Sequence, residues 1–218
     1  MKFKEVDINW LGHSGFLIKN SKIIYIDPYQ IKDDLPKADL ILITHSHYDH
    51  CSLEDLNKII QPGTRVLVTP DSQSKVNKFD IPVRIELVEV GQEFDFSGVK
   101  VLVLPAYNVD KPFHSKEEGL VGYLIKTNGV IIYHAGDTDK IPEMEKLTGY
   151  NQNFVALLPV GGRFTMDPVE ASEAAKLIKP TVAIPMHWGT IVGTKADAIE
   201  FKELCEAEGI RVEILDKI

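Results

Sequence analysis

The chain has 218 residues, of which 44% are apolar, so it is long enough and apolar enough to bury a full hydrophobic core. Its 24 basic and 32 acidic residues give a net charge of −8, which disfavours a broad contact surface for nucleic acid or anionic lipid. Acids occupy the first residues where a signal peptide would need apolar ones, and no apolar run approaches the roughly 18 residues of a membrane span, so we expect a cytoplasmic protein without a membrane span.

Short apolar runs that predict β-strands dominate the first half of the chain. Turn signals such as Pro62-Gly63 separate several of these runs. Residues 40–44 form an apolar run that ends in Thr44, which is typical of a strand buried on both faces. Further on, Ser52 supplies an N-cap hydroxyl and Asp55 an acid at N3, which predicts the start of a helix. The predicted strands are residues 6–11, 16–19, 22–26, 40–44, 65–69, 83–88 and 99–104.

The second half combines strands with helices. Asn128-Gly129 between two apolar runs predicts a β-hairpin. Asp167 as N-cap and Pro168 at N1 predict a helix that ends near Lys179. Another helix is expected from Thr194 to about Gly209, with an apolar stripe of Ala198, Ile199, Phe201, Leu204 and Cys205. The predicted strands of this half are residues 120–126, 130–133, 154–158 and 182–185.

Nothing in the composition divides the chain, because it contains no Ser/Gly-rich linker and no low-complexity tract. We therefore expect a single domain over residues 1–218. Residues 23–28 resemble residues 131–137, since each is an apolar run that leads to an acidic loop, and this suggests two similar halves. An α+β fold with two sheets packed face to face, helices outside and a metal site at one open edge satisfies these features.

Histidines and aspartates cluster in three short segments, His45-Ser46-His47-Tyr48-Asp49-His50, His134-Ala135-Gly136-Asp137 and Met186-His187-Trp188. Two histidines separated by one residue can point at one ion, and the Asp-His pair that follows them can reach a second. Neutral imidazole and carboxylate are ligands for zinc, manganese, iron and nickel. The pattern therefore predicts a metal centre. Cys51, directly after His50, is interpreted as a buried thiol, and the alternative is a metal ligand. The chain has two cysteines, which are too few for a disulfide framework and fit a reducing compartment.

The His-x-His-x-Asp-His segment at residues 45–50 resembles the signature of the metallo-β-lactamase superfamily. The resemblance extends over nearly the whole chain, through Asp27 at the end of an early strand, Asp137 in Gly-Asp-Thr and His187 before a glycine turn. It implies a four-layer αββα sandwich with two pseudo-equivalent halves. Within the superfamily the chain is most similar to the compact metal-dependent hydrolases related to ascorbate-6-phosphate lactonase, through residues 12–14 (Gly-His-Ser), 133–138 (Tyr-His-Ala-Gly-Asp-Thr) and 158–162 (Leu-Pro-Val-Gly-Gly).

The resemblance also implies the ligands of two divalent metal ions. The first ion would be held by His45, His47 and a third histidine, and Asp137 would bridge the two ions. The segment that usually carries the third histidine reads Pro-Ala-Tyr-Asn at residues 105–108, so His114, further along the same loop, is the candidate. The second ion would be held by Asp49, His50 and His187.

Such a centre predicts a metal-dependent hydrolase, because two ions that share a water lower its pKa from about 15.7 toward 7 and supply hydroxide at neutral pH. Asp49 and Asp137 are the predicted catalytic residues, with Asp49 orienting the nucleophile or carrying its proton. We expect a small-molecule substrate, an ester or lactone with or without a phosphate. The alternatives are a phosphodiesterase for nucleotides, phospholipid-like diesters or single-stranded nucleic acid, and a non-catalytic metal-dependent binding protein. Zinc and manganese are the first choices of ion, and iron and nickel are also compatible with these ligands. The sequence is also compatible with a homo-oligomer.

Further residues border the predicted centre. Asp27 either hydrogen-bonds a ligand's imidazole or closes an Asp-Pro turn. His13 either lines the site or stabilises a loop, and His134 is either a proton-transfer or substrate residue or a core histidine. Arg163, after a glycine pair that we interpret as flexible, either binds a phosphate or carboxylate or is an ordinary surface residue. The remaining candidates for substrate contact are Tyr48, Tyr107, Asn108 and Trp188, of which Trp188 is interpreted mainly as a packing residue.

Overall fold

The computed structural model describes residues 1–79, 81–150 and 152–218, and within these ranges it contains thirteen β-strands and four α-helices. The chain divides into two compact units. The first comprises Met1–Glu89 together with Asp216–Ile218, and the second comprises Val90–Leu215. Each unit is built on its own β-sheet. No helix in the described part of the chain is both long enough and apolar enough to cross a membrane.

The first unit contains a seven-stranded sheet in which the strands lie side by side in chain order. Strands β1 to β4 are antiparallel, whereas β5, β6 and β7 continue the sheet parallel to β4. Helix α1 (Leu53–Ile59) follows β5, and the short helix α2 (Gln73–Val76) follows β6. The strands are β1 (Lys2–Phe3), β2 (Val6–Gly12), β3 (Gly15–Lys19), β4 (Ile23–Ile26), β5 (Leu40–Leu42), β6 (Arg65–Val68) and β7 (Arg84–Leu87).

Strand β5 confirms the prediction of a strand that is buried on both faces, since all three of its side chains are at most 1% exposed. It ends at Leu42, two residues before the predicted end at Thr44. The reason lies in the backbone hydrogen bonds, because the Thr44 amide donates to a carboxylate oxygen of Asp27 (2.8 Å) instead of a neighbouring strand. Helix α1 begins as predicted, and the Ser52 hydroxyl accepts a hydrogen bond from the Asp55 amide (3.3 Å).

The second unit contains a six-stranded sheet in the order β13-β12-β11-β10-β9-β8. Strands β8 to β11 are antiparallel, and β12 and β13 continue the sheet parallel to β11. The strands are β8 (Glu93–Asp95), β9 (Val99–Pro105), β10 (Val121–Thr127), β11 (Val130–His134), β12 (Phe154–Pro159) and β13 (Val182–Met186). The predicted hairpin is confirmed between β10 and β11, where Asn128 (φ 46°) and Gly129 (φ 68°) form a two-residue loop with positive φ at both positions.

Two helices pack on the sheet of the second unit. Helix α3 (Pro168–Ile178) begins at the predicted N-cap, where the Asp167 carboxylate accepts from the Glu170 amide (2.8 Å). Helix α4 (Lys195–Ala207) packs against α3 and β13. Its predicted apolar stripe is right for Ala198, Phe201 and Cys205, which are fully buried, but wrong for Ile199, which is 42% exposed on the opposite side.

The two units repeat one strand pattern. In the first, β4 is antiparallel to β3 and parallel to β5; in the second, β11 is antiparallel to β10 and parallel to β12. Asp27 follows β4 directly, and Asp137 follows β11 after a two-residue spacer. The predicted similarity between residues 23–28 and 131–137 therefore has a structural counterpart, and a mixed α/β fold built on two β-sheets is confirmed.

Candidate metal centre

The first unit gathers its candidate residues at one edge of its sheet. Strands β4 and β5 are parallel neighbours, so their carboxyl ends lie side by side. Asp27 follows the first of these strands, and the segment from His45 to His50 follows the second after a two-residue spacer. This topology brings residues about twenty positions apart in sequence into contact.

The buried carboxylate of Asp27 organises the histidine segment. Its Oδ1 accepts from the Thr44 amide (2.8 Å), and its Oδ2 accepts from the Thr44 hydroxyl (2.6 Å) and from His50 Nδ1 (2.8 Å). A carboxylate only accepts, so His50 carries its proton on Nδ1 and presents the lone pair of Nε2. Asp27 itself has a positive φ of 42°, a conformation that these three hydrogen bonds hold in place.

The Thr44 hydroxyl determines in the same way which ring nitrogen of His45 carries the proton. Its one proton is donated to Asp27, so at 3.0 Å it accepts from Nδ1 of His45, whose Nε2 is then left with a lone pair. His45 Nε2 lies 2.9 Å from Nδ1 of His47. His45 is buried, whereas His47 is exposed. Two imidazole nitrogens this close share a proton or direct both lone pairs at one cation.

Asp49 and His13 form a second buried contact in this unit. Asp49 Oδ2 lies 2.9 Å from His13 Nε2 and 3.5 Å from His50 Nε2. His13 is fully buried with a positive φ of 52°, and its carbonyl oxygen accepts from the Trp10 indole (2.8 Å). The structure thus places His13 against the predicted catalytic carboxylate.

The backbone between the first two histidines is anchored from the segment that follows β6. The Ser46 amide donates to Asp71 (3.2 Å), and its carbonyl oxygen accepts from the ammonium of Lys75. On the other side, Tyr48 is 60% exposed, and its ring meets that of Tyr29 edge-on with centroids 5.8 Å apart. The segment is therefore held at its backbone while the Tyr48 ring faces solvent.

The second unit gathers its candidates around Asp137. One oxygen of this buried carboxylate, Oδ2, lies 3.1 Å from His187 Nε2 and 3.8 Å from His114 Nε2. His187 directly follows β13, and His114 lies in the loop after β9. His114 Nδ1 donates to the Phe164 carbonyl oxygen (3.0 Å), which leaves the Nε2 lone pair on the side of Asp137.

The position of His187 depends on Gly161. His187 has a positive φ of 59°, and its backbone passes close to the glycine after β12. A Cβ at residue 161 would lie 2.4 Å from the His187 carbonyl oxygen and 3.0 Å from its Nδ1. Only glycine fits there, so the interpretation of Gly161 as part of a flexible pair is wrong: the residue is required by close packing.

The other predicted residues of this unit contact groups that are not candidate metal ligands. His134 Nδ1 accepts from the Gly136 amide (3.2 Å) within a fully buried turn. The Tyr107 hydroxyl donates to Glu143 (2.8 Å), and burial together with this carboxylate raises the pKa of Tyr107. The Trp188 indole donates to the Pro185 carbonyl oxygen (3.1 Å). Arg163 is exposed, with its guanidinium 5.1 Å from the centre of the Phe164 ring.

The donor atoms of both clusters suit a divalent metal ion. Nitrogen and carboxylate ligands at about 2.1 Å from a shared tetrahedral ion lie about 3.4 Å from each other. The contacts of Asp137 with His187 (3.1 Å) and His114 (3.8 Å) bracket this separation, and the 3.5 Å between Asp49 and His50 lies close to it. Cys51 is different, because it lies in the apolar core of the first unit and burial raises the pKa of its thiol to about 11.

Comparison with known proteins agrees with this chemistry. The family model of the beta-lactamase superfamily domain matches residues 7–187. The chain belongs to the metallo-β-lactamase superfamily. A metal-dependent hydrolase of the UPF0173 group from Thermococcus onnurineus is 36% identical over 211 residues, covering 91% of this chain and 92% of that protein. One from Archaeoglobus fulgidus is 31% identical over 221 residues, covering 95% and 94%. The solved structure of a metallo hydrolase from Ignicoccus hospitalis has a TM-score of 0.80 and 28% identity, covering 97% of this chain and 95% of that chain.

The chain is accordingly a metal-dependent hydrolase of the metallo-β-lactamase superfamily. Several residues that organise its candidate ligands were missed by the sequence analysis. In the first unit they are Thr44, Asp71 and Lys75. In the second they are Lys111, Thr138, Asp139 and the backbone carbonyl of Phe164. The only sequence signal was the position of Thr44 and Thr138 beside predicted ligands, since ion pairs and carbonyl contacts leave no local pattern.

Proposed function

We propose that this protein holds two divalent metal ions in one centre and hydrolyses a small ester or lactone that carries an anionic group. The observation that carries the proposal is the position of Asp137. Its Oδ2 faces one imidazole from each of the two predicted ligand sets, His187 at 3.1 Å and His114 at 3.8 Å. A carboxylate oxygen close to one imidazole of each set supports a role for Asp137 as the ligand that both ions would share.

The ligand assignment follows the superfamily signature. His45, His47 and His114 would hold the first ion, and Asp49, His50 and His187 the second, with Asp137 shared. The two units would then act as one hydrolase domain. The hydrogen bonds within each unit support this assignment, because His45, His50 and His114 each donate from Nδ1 to a fixed acceptor and so present Nε2 as the ligand atom.

When bound, two divalent ions lower the pKa of a water that they share and polarise the oxygen of the bond to be cleaved. Zinc and manganese are the proposed ions, and the imidazole and carboxylate donors also suit iron and nickel. Asp49 would orient the attacking water and take its proton on a carboxylate oxygen. His13, 2.9 Å from Asp49 Oδ2, holds that carboxylate in a fixed orientation.

Arg163 is the residue that we propose to bind the anionic group of the substrate. Its side chain is exposed, and within the described part of the chain no carboxylate forms an ion pair with it. It neighbours Phe164, whose carbonyl oxygen accepts a hydrogen bond from His114 Nδ1. A guanidinium binds a phosphate or carboxylate through two parallel hydrogen bonds. Together with the resemblance to ascorbate-6-phosphate lactonase, this favours a phosphorylated lactone or ester.

The test is a substrate panel on protein loaded with zinc or manganese. The panel contains lactones and esters with and without a phosphate, and phosphodiesters of nucleotides. We expect metal-dependent turnover of lactones or esters, with the phosphorylated members preferred. Turnover of phosphodiesters alone would establish the alternative phosphodiesterase instead, and metal binding without turnover of any member would indicate a binding protein.

Arg163→Met tests the assignment of the anionic group within that panel. We expect KM for a phosphorylated substrate to rise about tenfold or more, since a charge-assisted contact is worth about 1.5–3 kcal/mol, while kcat changes little. The unphosphorylated analogue should show no such change. Lys195→Met, which removes an exposed cation elsewhere in the same unit, is the matched control.

A further inference from the structure

The loop of residues 107–114, called the His114 loop below, reaches its histidine by an unusual route. Strand β9 ends at Pro105, and His114 is nine residues further on. A loop of this length has many conformations, and fixing one of them costs conformational entropy. Yet His114 is 3% exposed and has a left-handed φ of 58°. Specific contacts must therefore hold the loop.

The first anchor joins the beginning of the His114 loop to the segment that carries Asp137. The Tyr107 amide donates to Thr138 Oγ1 (3.1 Å), and the Tyr107 carbonyl oxygen accepts from the Asp139 amide (3.0 Å). The carboxylate of Asp139 accepts from the Val109 amide (2.8 Å) and pairs with the ammonium of Lys111. These contacts fix the position of the loop relative to the segment that carries Asp137.

The carboxylate of this anchor is almost entirely removed from solvent, and its cation is partly so. The Asp139 side chain is 3% exposed, and the Lys111 side chain is 23% exposed and also lies 3.6 Å from Glu170. A buried carboxylate without a cation is strongly unfavourable, so loss of the Lys111 ammonium would leave the Asp139 carboxylate without its partner. Lys111 thus connects the middle of the loop to Asp139 and, through Glu170, to the first turn of α3.

The second anchor is Asn108, which is 5% exposed and uses both its backbone amide and its side-chain amide. Its backbone amide donates to the His114 carbonyl oxygen (2.7 Å), so that the loop closes on itself. Its Nδ2 donates to the carbonyl oxygens of Phe113 (2.9 Å) and Phe164 (2.7 Å). The Phe164 carbonyl is the same acceptor that holds Nδ1 of His114 (3.0 Å). Asn108 therefore fixes both the backbone beside His114 and the group that selects its tautomer.

We propose that Asn108 and the Lys111–Asp139 pair are positioning residues that make His114 a metal ligand although it lies far beyond the end of β9. This inference rests on the proposed function, in which His114 completes the first ion's ligands. Asn108 acts through the Phe164 carbonyl, which keeps the lone pair of His114 on Nε2. The Lys111–Asp139 pair acts through the backbone, which keeps that nitrogen on the side of Asp137.

The experiment measures stepwise binding of Co²⁺ or Zn²⁺ by chelator competition, together with the visible spectrum of the Co²⁺ form. For Asn108→Ala and Asn108→Asp we expect one ion to bind with wild-type affinity and the other about 10- to 100-fold more weakly. His114→Ala should lose that second ion altogether. Asn9→Ala is the matched control, because it removes an amide-to-carbonyl hydrogen bond (to Leu17, 3.3 Å) from the first unit.

A second readout needs no metal. In protein with ¹⁵N-labelled histidine, the ring nitrogen shifts of His114 should report the Nδ1–H tautomer in the wild type and a mixture of tautomers in Asn108→Ala. A merely structural role of Asn108 would instead lower the melting temperature of the metal-free protein and weaken both ions equally, which would overturn the proposal.

The outcomes separate the inference from the function on which it rests. If His114→Ala keeps both ions, the ligand assignment fails. If His114→Ala loses one ion while Asn108→Ala binds both with wild-type affinity, only the positioning role fails. Should Asn108→Ala not fold, Lys111→Met tests the other anchor, and we expect it too to weaken the binding of one ion only. Its control is Lys116→Met, which breaks the neighbouring pair with Glu143 (3.0 Å). Wild-type affinity for both ions in Lys111→Met would overturn the proposal.

Discussion

Asp27 Oδ2 lies 2.8 Å from His50 Nδ1, and both side chains are fully buried. The same carboxylate accepts two hydrogen bonds from Thr44, so it connects the end of β4 to the segment that follows β5. Its effect on His50 is to fix the ring and its tautomer. Asp27 thus organises the candidate centre without itself being a candidate ligand.

Asp27→Asn tests this relationship. The asparagine amide would bring a donor toward the Thr44 hydroxyl and His50 Nδ1, which are themselves donors. We expect metal affinity to fall about 10- to 100-fold and the free energy of unfolding to fall by about 1–3 kcal/mol. Chelator competition and urea unfolding measure the two effects. In Asp39→Asn, which alters an exposed carboxylate that accepts from the Ile23 amide (2.7 Å), metal affinity should not change, and an equal loss there would argue against a specific role for Asp27.

Gly161→Ala tests the packing beneath His187. The added methyl would lie 2.4 Å from the His187 carbonyl oxygen, so this histidine and the strand end that carries it must shift. We expect loss of about 1–3 kcal/mol of stability and a marked loss of affinity for one of the two ions. Gly149→Ala is the control, because a Cβ there meets no atom within 4 Å. Native metal content in Gly161→Ala would show that His187 is not a ligand or that its position is not critical.

Cys51→Ala distinguishes the two interpretations of the thiol beside His50. Metal ions bind the thiolate, and burial raises the pKa of Cys51 to about 11, so the thiol is protonated at neutral pH. Its neighbours are apolar core residues such as Leu56. We expect unchanged metal content by elemental analysis and a loss of about 1 kcal/mol in unfolding experiments from the smaller side chain. Loss of one ion would restore the ligand interpretation.

Local sequence patterns predicted most of the secondary structure because the physical causes are local. The caps of α1 and α3 and the Asn128-Gly129 turn are decided by residues within four positions of each other. Strand β8 (Glu93–Asp95) was missed because it is a short, largely exposed edge strand with little apolar pattern. Ile199 was placed on the wrong side because its helix is only weakly amphipathic.

The candidate centre was predictable where candidate ligands lie at or just beyond the end of a strand, as at His187 and His45. Its supports were not predictable, because they depend on distant pairings. Lys111 meets Asp139 across 28 positions, and His114 meets the Phe164 carbonyl across 50. A backbone carbonyl carries no residue-specific signal, and nothing in the sequence near Gly161 indicates that the His187 backbone will pass so close to it.

The most direct test of a dinuclear hydrolytic centre is the metal content of Asp137→Ala, measured by elemental analysis beside turnover of the substrate found in the panel. Asp110→Ala, which removes an exposed carboxylate from the His114 loop, is the control and should keep both ions and full activity. We predict that Asp137→Ala loses metal and hydrolysis together, because the shared carboxylate oxygen facing His114 and His187 is gone. Two ions per chain retained in Asp137→Ala would contradict the bridging role on which the proposed function depends.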